Sequence, residues 1–166
     1  MEIEGYAEFD STKRYRYLLG RRWDRNLPQV TFVMLNPSTA DDQKNDPTLT
    51  RCINFAKSWN KYGSLEVVNL FAYRATKPRE LRQVDDPVGS ENNFYIQVAA
   101  KRAALIILAW GTGKYPRIQN RDKEVLRLIY DRQPFYCLVL TKYGHPHHPI
   151  RLPKNIEPVI FPNPYL

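Results

Sequence analysis

The chain has 166 residues, 43% hydrophobic and 25% charged, with a formal net charge of +8 and an isoelectric point near 9.5. This is the composition of a soluble globular protein, not of a disordered or collagen-like one, and the length suits a single domain over residues 1–166. No apolar run approaches the roughly 20 residues of a membrane helix, and the acidic opening Met1-Glu2-Ile3-Glu4-Gly5 lacks the apolar stretch of a signal peptide, so a cytoplasmic location is expected. Excess positive charge on a small chain favours a polyanionic partner. The eleven tyrosines, interleaved with Arg and Lys, suit base stacking, and nucleic acid is therefore the expected partner. Cys52 and Cys137 lie far apart in apolar surroundings and are expected as reduced core residues.

In chain order, residues 6–24 alternate aromatic and charged side chains, which predicts an antiparallel hairpin turning near Asp10-Ser11-Thr12 with its arginines outward. Thr31–Leu35 is an apolar run that meets Asn36-Pro37-Ser38-Thr39. Pro37 cannot donate to a ladder and holds the preceding residue extended, so the strand stops there and presents the Asn36 amide at its carboxyl end. Asp46 as N-cap and Pro47 at the first helical position open a helix, with Leu49, Cys52, Ile53, Phe55, Ala56 and Trp59 on its inner face and Gly63 as its stop. A strand over Leu65–Phe71 follows, with Glu66 expected to be solvated, and then a short helix over 79–83. Ser90 is expected to cap a helix reaching Ala103. Leu105–Trp110 is the most apolar strand and stops at Gly111-Thr112-Gly113. A helix over 119–132, a fourth strand over Phe135–Leu140 and a proline-rich extended tail complete the chain.

Four apolar strands alternating with helices imply an α/β fold: three α/β/α layers with a mainly parallel four-stranded central sheet, preceded by the N-terminal hairpin. Neither a Gly-x-Gly-x-x-Gly motif nor a phosphate-loop lysine motif is present. Each strand instead delivers polar residues or glycine at its carboxyl end: Asn36-Pro37-Ser38, Asn69 with Tyr73 and Arg74, Trp110-Gly111, and His145-Pro146-His147-His148. In a parallel sheet these ends converge on one crevice. Two carboxamides and a histidine suit the reading of a planar amide or base edge, since each carboxamide offers a donor and an acceptor in one plane. His145 and His147 with Asp41 or Asp42 lack standard metal-ligand spacing, so neither a metal nor a cofactor is expected.

The segments Leu35–Asp41, Asp46–Arg51, Val68–Thr76, Ala109–Gly111 and Gly144–Pro149 resemble the bacterial and phage family catalogued as domain of unknown function 1643. More distantly, the four strand ends resemble the uracil-DNA glycosylase superfamily in their order. Leu35-Asn36-Pro37 is similar to its first motif, Asn69 to its base-reading Asn, Trp110-Gly111 to its Trp-Gly strand end, and His145-Pro146 with loop 147–152 to its late His-Pro motif. Met34 departs from this pattern where that superfamily has Gly, as do Ser38 and Thr39 where it has an aromatic residue, so the base is left open.

The resemblance implies a DNA N-glycosylase that flips a uracil-like or modified base into its pocket. Asn36 would position the water, Asn69 would read the base and His145 would donate to the developing base anion. Pro37, Ser38, Tyr73, Trp110 and Gly111 would line the base site. Ile150 or Arg151 would enter the groove, and Arg74, Arg79, Lys114 and Lys142 would meet phosphates. Two alternatives stay open: a non-catalytic nucleic-acid-binding module with the same pocket, and a hydrolase or transferase of small nucleotides.

Overall fold

The computed structural model describes residues 2–162. One seven-stranded mixed sheet carries three α-helices, in agreement with the α/β class expected from the sequence. The strands are β1 (Glu4–Phe9), β2 (Arg16–Arg22), β3 (Gln29–Met34), β4 (Ser64–Asn69), β5 (Ala103–Leu108), β6 (Phe135–Cys137) and β7 (Val159–Phe161), arranged β1-β2-β4-β3-β5-β6-β7. The hairpin β1–β2 pairs antiparallel, and β2 continues antiparallel onto β4. Strand β3 pairs in parallel with β4 and β5, β5 in parallel with β6, and β7 antiparallel to β6.

The helices are α1 (Pro47–Ser58), α2 (Asn92–Arg102) and α3 (Arg121–Leu128). Helix α1 starts where the sequence dictates: the Asp46 carboxylate accepts from the Leu49 amide at 2.8 Å, and Pro47 has no amide to leave unpaired. Its inner face packs with Val30, Phe32, Met34, Leu65, Val67 and Ile107 on one side of the sheet. On the other side, Val33, Val68, Ile106 and Leu108 pack with Ile96 and Ala99 of α2 and with Val125 and Leu126 of α3. Successive strand residues point to opposite faces, so a strand covered on both sides reads as a continuous apolar run.

Several expectations are corrected. The hairpin belongs to the main sheet, so β2 is an interior strand and its arginines do not simply face water. Arg16 and Arg21 are buried, and Arg21 binds the carbonyls of Asp41 and Lys44 and the Asn45 side chain. Glu66 is fully buried, accepting from the Tyr6 hydroxyl at 2.6 Å and the Gln29 amide at 2.9 Å, and pairing with Arg102 at 2.7 Å. Ser90 does not cap α2; the N-cap position is Glu91, with no side-chain bond. Helix α3 starts only at Arg121 because Gln119 and Asn120 are left-handed, at φ 56° and 58°. Gly63 does not end α1, which stops at Ser58. It marks a close crossing instead, taking the Trp23 and Asp24 amides on its carbonyl at 2.8 and 3.0 Å, and a Cβ there would collide with the Asp24 carbonyl. The apolar run from Phe135 leaves the sheet after Cys137. The Val139 carbonyl then accepts the His147 amide at 2.9 Å, and Leu140 bridges to Pro146.

Candidate functional site

A cavity of about 300 Å³ opens at the carboxyl ends of β3 and β4, against the start of α1. Met34 and Asn69 are partners in the β3–β4 register, and both line it. Leu19, Met34, Leu49 and Val67 form apolar walls, and Arg16, Asn36, Ser38, Asp46, Asn69 and His148 supply the polar groups. Concave sites of this size take one small ligand, oriented by a few polar groups.

Asn36 is held in a defined pose. Its Nδ2 donates to the Pro37 carbonyl at 3.0 Å and to the Ala75 carbonyl at 2.8 Å. Both partners are acceptors, so the amide orientation is unambiguous, and Oδ1 must point away from them. That oxygen accepts from no described residue.

Asn69 is 2% exposed, and its Oδ1 has no hydrogen-bond partner among the described residues. This oxygen is enclosed, so it is an unpaired buried acceptor and not an exposed feature of the cavity wall. Arg16, 4% exposed, donates through one terminal nitrogen to the Ala40 carbonyl at 3.0 Å, while its Nε is unpartnered. Burial pulls the Arg16 pKa down to about 10, partly offset by Asp46, so the guanidinium stays cationic at neutral pH. One oxygen of Asp46 caps α1, and the side chain also lines the cavity.

The histidine in the wall is His148, and His145 is not among the lining residues. The Ile150 amide donates to His148 Nδ1 at 3.1 Å, so the neutral ring carries its proton on Nε2. Burial, then the neighbouring His147, lowers the His148 pKa, which keeps the ring neutral. His145 is tied by its backbone to Thr141, and His147 Nδ1 meets the His148 carbonyl at 2.6 Å.

Asn36, Pro37, Ser38 and Asn69 are thus gathered in the cavity wall, while other singled-out residues stand elsewhere. Trp110 packs against Phe161 in the core on the α2–α3 side, because alternation along β5 turns it to the face opposite Asn69. Gly111, at φ 87°, donates to the Pro146 carbonyl at 2.8 Å, and a Cβ on it would touch His148. Tyr73 bridges to Tyr15, and Arg74 donates to the Ser38 carbonyl at 3.0 Å; both line a neighbouring groove. Arg79, Lys114, Lys142 and Arg151 are exposed, and Ile150 is half-buried. Sequence reasoning gave no site role to Arg16 or Asp46, and it placed His148 at a converging strand end while giving the chemical role to His145. Only the N-cap pattern at Asp46 and the histidine cluster signalled any of them. Among the described residues no group of three or more His, Cys, Asp or Glu side chains is arranged to hold a metal, and no helix is long and apolar enough to cross a membrane.

Fold and site together define an α/β protein with a small polar cavity at its strand ends. The family described as "Protein of unknown function (DUF1643)" matches residues 16–150, and the chain belongs to that family. No curated protein and no solved structure matches the chain.

Proposed function

We propose that the cavity binds a nucleobase presented by nucleic acid, and that the protein is a DNA N-glycosylase with a uracil-DNA-glycosylase-like fold. The observation that carries this reading is the convergence of Asn36, Asn69, Arg16 and His148 on one cavity at the strand ends. A carboxamide held at a rigid strand end suits the donor–acceptor edge of a planar base. The net charge of +8 supports a polyanionic partner.

In the chemistry proposed, the bond between the sugar anomeric carbon and the base nitrogen breaks, and the base leaves with the bonding electrons. Asn36 Oδ1 orients the water whose oxygen adds to the anomeric carbon and whose proton is lost to solvent. Arg16 and His148 Nε2–H stabilise the developing base anion, with His148 in the role that the sequence resemblance implies for His145. Asp46 places negative charge beside the oxocarbenium-like sugar.

The test is base release from oligonucleotides carrying uracil or other altered bases. The wild type yields abasic product and Asn69→Ala does not; release by neither, from any base, sinks the enzymatic reading. A non-catalytic base reader is the second reading, favoured because the Asn36 amide already has a structural duty. It predicts salt-dependent binding that survives Asn36→Ala.

A further inference from the structure

Beside the cavity lies a second groove of about 270 Å³, sharing Ser38, Ala75 and Thr76 with it as a common wall. We infer that this groove holds the phosphate of the nucleotide whose base occupies the cavity, with Lys13, Arg14 and Arg74 as its cations. The inference rests on the cavity being a base site and adds to it a phosphate subsite built by the tip of the β1–β2 hairpin.

The groove is constructed from backbone. The Arg74 amide donates to the Arg14 carbonyl at 2.8 Å, Tyr15 bridges to Tyr73, and the Ala75 amide donates to the Pro37 carbonyl at 3.1 Å. The hairpin tip, the segment after β4 and the Asn36-Pro37-Ser38 turn are thereby locked together. A ligand spanning cavity and groove meets fixed walls.

Its charge is not cancelled. Arg74 donates to the carbonyls of Ser38, Lys13 and Thr39 at 3.0, 3.2 and 3.4 Å, all uncharged acceptors, and among the described residues it has no ion-pair partner, although Asp41 lies within its field. Among the described residues neither Lys13 nor Arg14 has an ion-pair partner. Two carboxylates lie nearby. Asp10 accepts from the Thr12 hydroxyl and the Tyr15 amide, and Asp41 from the Gln43 and Lys44 amides, so both serve their own turns and neither lines the groove. The Ser38, Thr76 and Tyr73 hydroxyls in its walls have no described partner. Three cations and free hydroxyls form a phosphate site by chemistry, in a groove that shares a wall with the cavity. Arg79, Lys114 and Lys142 do not line this groove.

The test uses the double variant Lys13→Asn with Arg14→Gln. Both positions are exposed, and Lys13 is left-handed at φ 61°, a conformation that Asn tolerates. Fluorescence polarisation measures binding of labelled oligothymidylate over a range of KCl, and calorimetry compares thymidine with thymidine monophosphate. The wild type should bind the monophosphate more tightly than the nucleoside, and the variant should lose that advantage while binding the nucleoside unchanged. For the oligonucleotide, the slope of log K against log[KCl] should fall by roughly 0.7, the value for the one phosphate of a single strand that is no longer neutralised.

An unchanged slope and an unchanged monophosphate advantage overturn the phosphate subsite. If Asn69→Ala still abolishes nucleoside binding in that case, the base cavity stands without it. If Asn69→Ala leaves nucleoside binding intact while the double variant flattens the slope, the groove stands and the base cavity falls. Loss of the monophosphate advantage in the variant, with oligothymidylate bound no better than the monophosphate, supports the subsite and assigns it to free nucleotides over strands.

Discussion

Asn36→Ala separates the structural duty of this side chain from its chemical one. The substitution deletes the hydrogen bonds to the Pro37 and Ala75 carbonyls, at 3.0 and 2.8 Å. At about 1 ± 0.5 kcal/mol net for each bond, the loss is about 1–3 kcal/mol, with a central value of about 2. For a chain of this length that lowers Tm by about 4–8 °C. Asn36→Asp sharpens the test, because a carboxylate would face two carbonyl oxygens with no donor between them. Its ionised form is disfavoured in the fold, so its folded pKa rises above the unfolded value of about 3.9. The sign follows: relative to wild type, this variant is least destabilised below about pH 3.9, and it loses stability as pH rises through the raised folded pKa. Urea unfolding at acid and neutral pH reads both effects. If Asn36→Ala and wild type share one midpoint, and Asn36→Asp shows no added loss at neutral pH, Asn36 does not clamp the two carbonyls.

Two further predictions concern titrating groups. Burial raises the Cys52 thiol far above its ordinary range and Cys137 to about 11, so neither should react with a disulfide reagent near pH 8 until the protein is unfolded; one fast-reacting equivalent in the native state would contradict this. The lowered His148 pKa means that the unfolded chain binds its proton more readily, so stability should fall as pH drops below about 6.5. His148→Gln should flatten that part of the stability profile, and an NMR titration of His148 with a midpoint at or above about 6.5 would refute the assignment.

Apolar runs and local capping made most of the elements legible in the sequence. The Asp46-Pro47 pair marked the start of α1 because its chemistry is local. Pairing partners were less visible. Phe135–Leu140 is apolar throughout, yet only its first half joins the sheet, since apolarity records burial and not hydrogen-bond partners. Arg16 and Glu66 carried charge and so suggested solvent, but each sits on an interior strand: Glu66 lies in the pairing of β2 with β4, and Arg16 pairs with Phe9 on one side while its amide donates to the Ala72 carbonyl on the other. Asn36 and Asn69 were legible as neighbours at one strand-end cavity because proline and the strand's end fix where those amides emerge. The three histidines could not be ranked from sequence. Turn geometry chose His148 for the cavity wall, and that depends on the return of residues 146–147 against 139–140.

The central claim, that the cavity is a base site, is tested most directly by following the side-chain amide resonances of asparagine on titration with a uracil-containing oligonucleotide. The Asn36 and Asn69 signals and the His148 ring should shift together, with the same apparent affinity, and Asn69→Ala should weaken that affinity. Shifts confined to residues outside the cavity, with the Asn36, Asn69 and His148 signals unmoved at saturation, would contradict it.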